Sequence, residues 1–137
     1  MIVILCVDDN GGTLFNQRRQ SQDRLLRDRI LRLTAGTRLW MNHYSAKQFA
    51  PASSIYADDH FLDKAVPGEY CFVENSDVLP YEQSIEKIVL YQWNRRYPAD
   101  HFFNIPRSRW RLVQRTDFPG SSHERITEEV YSKTNET

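Results

Sequence analysis

Glu74-Asn75-Ser76-Asp77 follows one apolar run, Tyr70 to Val73, and precedes another, Lys87 to Tyr91. A strand, a polar turn and a second strand in that order mark the place where nucleotide-binding α/β proteins seat a phosphate. Such turns use glycine, because only bare backbone comes close to a pyrophosphate. Here the turn carries a carboxylate, an amide, a hydroxyl and a second carboxylate instead. His43 follows the short apolar run Arg38 to Met41, which puts it at the carboxyl edge of a sheet, where α/β folds hold ligands. His101 sits in a Pro-rich stretch, and with Asp23 or Asp100 it could form a His–carboxylate pair for acid–base work. Each histidine also suits an ordinary hydrogen-bonded loop role.

Other constellations carry less. The four histidines, His43, His60, His101 and His123, show no HxH or HxxxH spacing. No metal site is expected, and the spacing argues against a zinc hydrolase or metallo-nuclease. Ser121-Ser122-His123-Glu124 reads as a hairpin loop, and no GxSxG nucleophile elbow occurs. Asp8-Asp9-Asn10-Gly11 lacks the acid that a calcium loop needs at its twelfth position, and reads as a polar turn.

The elements that position these residues follow from periodicity. Ile2 to Val7 is a continuous apolar run, as in a strand covered on both faces. Leu14 to Arg19 reads as an irregular loop. A helix is predicted after Ser21, with Asp23 in its first turn, Leu26, Ile30 and Leu33 on one face, and Gly36 beyond its end. Its arginines form a solvated stripe. Arg38 to Met41 is a strand, and Ser45 caps a short helix through Phe49. Ser53 to Tyr56 is a strand, and Asp58 to Val66 a short amphipathic helix. From Lys87 onward, Lys87–Trp93, Trp110–Phe118 and Arg125–Tyr131 alternate apolar and polar residues, as strands with one solvated face do. The predicted architecture is a three-layer α/β domain over residues 1–131. Its mixed, largely parallel sheet ends in an antiparallel C-terminal hairpin, and 132–137 are a frayed tail.

Composition narrows the classes. The chain has 137 residues, 40% of them hydrophobic, and no run near the ~18 apolar residues a membrane span requires. MIVILCVDDN lacks a basic start and a cleavage site, so it reads as a first strand and the protein as cytoplasmic. Cys6 and Cys71 lie in apolar runs and are expected to be free. The net charge is zero, yet arginine outnumbers lysine fourteen to four. Gln17 to Arg38 is basic, Ala57 to Glu86 acidic, and Lys87 to Arg115 basic again. Arginine beside Trp40, Trp93, Trp110 and Tyr97 permits RNA contact, but mutual neutralisation of the faces is favoured at zero net charge.

Three strings in order carry a family resemblance. Tyr97-Pro98-Ala99-Asp100-His101-Phe102-Phe103, followed by Trp110 and Leu112-Val113, resembles the segment before the penultimate strand of dihydrofolate reductase. Leu79 to Tyr91 is similar to the stretch joining that family's nucleotide loop to its next strand. Leu39 to Ser45 is similar to the strand and turn entering its cofactor-binding helix. The resemblance implies the dihydrofolate reductase-like fold in shortened form. It also implies a ligand cleft lined by Val7, Asn42, His43, Glu74, Asn75 and His101.

The departures fall where chemistry would occur. The family's paired-glycine cofactor turn is Glu74-Asn75 here, its Gly-Arg turn is Asn42-His43, and its folate-tail segment has no counterpart. The expectation is therefore a binder of a small anionic or heteroaromatic ligand that has lost the NADPH phosphate site, with no cofactor. Asp23 and His101 come nearest to catalytic candidates, and no mechanism attaches to them. One alternative is an NADPH reductase with a rearranged loop, using Arg18, Arg19 or Arg38, and a nicotinamide-wide cavity under the Asp8–Arg19 loop. The other is an interaction module, a salt-sensitive homodimer or RNA binder built on the Arg-rich face.

Overall fold

The computed structural model of the chain describes residues 1–49 and 51–133. In chain order its elements are β1 (Ile2–Val7), β2 (Gly12–Phe15), β3 (Arg18–Arg19), α1 (Arg24–Leu33), β4 (Leu39–Met41) and α2 (His43–Ala46). Then come β5 (Ile55–Ala57), β6 (Tyr70–Phe72), β7 (Lys87–Gln92), β8 (His101–Phe102), β9 (Trp110–Phe118) and β10 (Ile126–Lys133). Single 3-10 turns cover Phe61–Asp63, Leu79–Ser84 and Arg107–Arg109.

Seven strands make one sheet in the order β5-β4-β6-β1-β7-β10-β9. The first five run parallel, and β10 is antiparallel to both β7 and β9. The period-two alternation of β1 decides its packing. Val3, Leu5 and Val7 face a core shared with Phe61, Leu62, Ile85, Ile105 and Trp110. Ile4 faces the opposite core with Leu26 and Ile30 of α1 and Phe49, just after α2. Helices thus cover one face and the 3-10 turns cover the other, which is the expected three-layer α/β arrangement with its antiparallel terminal pair.

Local chemistry corrects several boundaries. Asp23 caps α1, accepting from the Leu26 N–H at 3.2 Å, so Ser21 lies outside the helix. Leu26 and Ile30 are buried, each contributing about 2 kcal/mol of apolar burial. Leu33, the last residue of α1, is 39% exposed. The arginine stripe is not wholly solvated: Arg29 donates twice to Glu128, at 2.9 and 3.2 Å, and the buried Tyr91 hydroxyl donates to the same carboxylate. Asn42, not Ser45, caps α2 by accepting from the Ser45 N–H at 2.8 Å. The amphipathic helix predicted over 58–66 reduces to the turn Phe61–Asp63. Ser132 and Lys133 continue β10, and the rest of the tail predicted as frayed lies outside the described residues.

The largest departure lies between Gly12 and Arg19. The predicted irregular loop is a hairpin, β2 with β3, extended by β8 into a separate three-stranded sheet. Its two-residue turn holds Asn16 and Gln17, both at positive φ (52° and 62°), as a mirror-image hairpin turn requires. Asn and Gln tolerate that conformation less well than glycine, which hid the hairpin from the sequence pattern. The root of the hairpin is held by Asp8, whose buried carboxylate accepts from the N–H groups of Asn10, Gly12 and Tyr97. Replacing Gln17 by glycine removes the strain of a long side chain at positive φ. Gln17→Gly is expected to stabilise the protein by about 0.5 to 1 kcal/mol in urea denaturation.

Candidate functional site

The carboxyl ends of β1, β4 and β6 converge beneath the β2–β3 hairpin, where an α/β sheet opens its ligand crevice. A protein side chain fills the crevice. Arg19, at the end of β3, donates from Nε and Nη2 to both oxygens of Glu74, at 3.0 and 3.1 Å. Ser45 at the start of α2 donates its hydroxyl to the same carboxylate at 2.8 Å. The guanidinium lies over the Tyr44 ring, 4.4 Å from its centroid, and also donates to the Tyr44 carbonyl. The Arg19 backbone N–H donates to the Tyr44 hydroxyl. Beside this knot, Asn42 donates to the Asn75 side chain at 2.6 Å. The polar turn that replaces glycines therefore binds the protein's own cation and amide.

The residues predicted as ligand contacts separate into different environments. Val7 is fully buried core. Asn42, Glu74 and Asn75 form the knot. His43 stays exposed, paired with Asp59 through both its backbone N–H and Nδ1. His101 belongs to the second sheet, where Nδ1 lies 2.7 Å from the Thr13 hydroxyl. It meets neither Asp23 nor Asp100, because the β2–β8 pairing turns it toward β2. Arg38, offered as a substitute phosphate contact, lies before β4, at the amino edge of the sheet, and pairs with Glu69 there. Between the start of α1 and the end of β6 lies a small cavity, with room for about one water molecule. Ser21, Gln22, Gln48, Glu74 and Trp93 border it, with Cys6, whose thiol burial pushes well above its ordinary value. A nicotinamide ring does not fit there. Among the described residues no group of three or more His, Cys, Asp or Glu is placed to hold a metal ion.

Asp23 is more than a helix cap. Its carboxylate accepts from the Ser121 N–H and hydroxyl, the Ser122 N–H and the Leu26 N–H, and pairs with His123 Nδ1 at 3.0 Å. Burial alone would raise this carboxyl, but the bonds from Ser121, Ser122, His123 and Leu26 outweigh it and hold it well below the usual carboxylate range. His123 is buried and stacked on Trp93, with ring centroids 4.5 Å apart. Its other nitrogen, Nε2, faces the Ser21 hydroxyl at 3.0 Å and the Tyr97 hydroxyl at 3.2 Å. The sequence pattern gave Ser21, Tyr97 and His123 no place at a functional site. The only available signal was the loop Ser121-Ser122-His123, and its partner lies about a hundred positions away.

Outside the knot, Phe15, Asn16, Arg18, Gln20, Tyr97 and Pro98 line an open groove between the hairpin and the turn after β7. Arg18 has no ion-pair partner among the described residues, and Oε1 of Gln20 is buried there without a donor.

The structure is similar to that of dihydrofolate reductase from Enterococcus faecalis complexed with NADP(H) and RAB-propyl, with a TM-score of 0.70. That likeness covers 98% of this chain and 96% of the other, at 11% sequence identity. It establishes the dihydrofolate reductase-like fold. No family model matches the sequence, and comparison with curated proteins gives no match. No helix among the described residues is long and apolar enough to cross a membrane.

Two outcomes follow from the knot and the cap. Arg19→Met leaves Glu74 short of its counter-ion and is expected to cost about 2 to 3 kcal/mol, less than a fully buried pair because 19% of the Arg19 side chain still meets solvent. Adding Glu74→Gln removes the orphaned charge and should restore most of that loss, to within about 1 kcal/mol of the parent in urea. A penalty that stays or grows in the double variant would show that the pair itself, not the stranded charge, carries the stability.

Asp23 makes stability depend on acid. Its folded carboxyl sits below the unfolded value, so its contribution is complete above about pH 4 and is lost as pH falls toward the folded value. Asp23→Asn, which cannot accept from all these donors, is expected to cost about 2 to 3 kcal/mol at neutral pH. Its urea midpoint should also fall less steeply below about pH 4 than the parent's.

Proposed function

We propose that this protein binds a small anionic or heteroaromatic ligand on a dihydrofolate reductase-like fold and has no NADPH-dependent reductase activity. The observation carrying this reading is the two-pronged Arg19–Glu74 pair. The carboxylate stands where backbone would have to approach a diphosphate, and it already has its cation. A phosphate entering there must displace Arg19 from Glu74 and then lie against the freed carboxylate, which opposes binding by like charge. The cavity bordered by Glu74 and Ser21, with room for about one water, supports the same reading.

The ligand chemistry comes from the neighbouring groove. Arg18 offers a planar cation free to take a carboxylate or phosphate, and Phe15 and Tyr97 offer ring faces on which a flat heterocycle stacks. The ligand seat therefore moves from the sheet edge, where the sequence pattern put it, to the outer side of the hairpin.

Tryptophan fluorescence tests both halves of the proposal. Titration with NADPH up to millimolar concentration is expected to show no saturable quenching and no energy transfer to nicotinamide. Saturation at micromolar cofactor would overturn the reading and restore the reductase. A panel of heteroaromatic carboxylates and phosphates is expected to contain at least one saturable ligand. Arg18→Ala should weaken that ligand about tenfold or more, the scale of one charge-assisted contact. A panel with no ligand, or one whose binding ignores Arg18, removes the groove.

A further inference from the structure

Ser21, His123 and Asp23 stand in the order of a nucleophile, a base and the group that orients the base. We propose that Ser21 is an activated nucleophile and that the protein cleaves small carboxylic esters through an acyl-serine.

Asp23 is ionised and can only accept, so His123 Nδ1, at 3.0 Å, must carry the proton. In the neutral ring Nε2 then holds the lone pair, and it lies 3.0 Å from the Ser21 oxygen. Those two contacts meet the geometric test for a serine nucleophile and its base. The imidazole is also fixed in plane by stacking on Trp93 and cannot turn its nitrogens over without breaking the Asp23 bond.

Two further observations point to an acyl substrate rather than a passive network. Ser21 borders the internal cavity with Gln48, whose buried Nε2 has no partner. A donor left without an acceptor in a one-oxygen cavity beside a nucleophile has the character of an oxyanion site. The backbone N–H of Gln22, the residue after the nucleophile, also donates to no group among the described residues. Ser21 is partly exposed and borders the internal cavity, and its neighbour Gln20 lines the outer groove.

The step balances without a cofactor. The Ser21 oxygen adds to the ester carbonyl carbon while its proton passes to Nε2 of His123. The tetrahedral oxyanion collapses, breaking the bond to the alcohol, which leaves with the proton from Nε2. Water then gives a proton to Nε2 and adds its oxygen to the acyl carbon. Ser21 departs and recovers that proton, so ester and water yield acid and alcohol. Asp23 is a positioning residue throughout. Tyr97 competes for Nε2 at 3.2 Å, so the base is shared between two hydroxyls in the resting protein. A preference for esters with anionic or aromatic leaving groups rests on the groove reading above, whereas the attack itself does not.

A small phosphorylating probe, diisopropyl fluorophosphate, which loses fluoride to the attacking serine oxygen, tests the nucleophile without needing the groove. Intact mass followed by peptide mapping is expected to place one adduct on Ser21. Ser21→Ala, which removes only a hydroxyl, is expected to remain folded by circular dichroism and to take no adduct. The labelling rate should rise with loss of a single proton and then level off. His123→Gln should lower it a hundredfold or more, the scale of general-base catalysis, and flatten that profile. Absence of an adduct on folded parent protein, or labelling that persists in Ser21→Ala, would overturn the assignment. If the probe labels Ser21 while the heteroaromatic panel finds no ligand, the groove fails and the nucleophile stands.

Discussion

Arg19 reaching Glu74 is the interaction on which the arrangement at the sheet's carboxyl edge depends. The hairpin carrying Arg19 shares no strand ladder with the seven-stranded sheet, so beyond the backbone bond from the Asp8 N–H to the Gly12 carbonyl at its root, side chains decide where it lies. Two bonds to the carboxylate, a cation stacked on Tyr44 and a bond from its backbone N–H to the Tyr44 hydroxyl fix both the height and the direction of the strap. Desolvating one charge of this pair alone would cost several kcal/mol, so neither residue tolerates loss of the other. The pair thus links two chemistries in one place: it closes the crevice and it anchors the lid of that closure.

Buried carboxylates repeat this logic elsewhere. Asp8 gathers backbone N–H groups from the turn after β1 and from Tyr97, and Asp23 gathers them from the 121–122 loop and from the start of α1. Each satisfies donors that regular structure would otherwise have to absorb. Glycine appears where these hubs leave no room. A Cβ on Gly120 would lie 2.4 Å from Asp23 Oδ2, and one on Gly12 would lie 2.4 Å from the Ala99 Cβ. Loops packed on carboxylates can therefore be irregular in backbone and still be fixed in position.

The sequence made the scaffold legible and the site only in part. β1 and β7 were readable because their apolar runs match the faces they bury, whereas β9 keeps Leu112 and Val113 exposed and β10 buries Thr127 and Glu128, so burial there does not follow the apolar period. The ordered strings Leu39–Ser45, Leu79–Tyr91 and Tyr97–Val113 pointed to the fold that the structure shows. The hairpin was not readable, because its turn uses Asn16-Gln17 where the local signal would be glycine. The identity of Glu74 as an obstacle was visible, but its partner was not. Arg19 lies 55 positions away, and His123 lies 100 from Asp23, so no local period relates them. Helix caps failed for a related reason: Ser21 and Asp23, like Asn42 and Ser45, are all good caps, and tertiary demand on the spare hydroxyl decides between them.

The stretch from Arg18 to Asp23 carries most of what is distinctive here, and its anchoring explains why. After Arg19 it follows no strand or helix until Arg24, and over those residues its course is set by side chains. Arg19 holds it to β6's turn, Gln20 to the Asp8 carboxylate and the Pro98 carbonyl, and Ser21 to His123. Asp23 then ties it to the 121–123 loop. Each anchor uses a different partner element, so displacing one residue need not free the next. That is the condition under which Ser21 can keep its 3.0 Å approach to His123 while the groove beside Gln20 stays open. A strap pinned this densely trades the mobility of a lid for a fixed geometry, and fixed geometry is what a nucleophile and its base require.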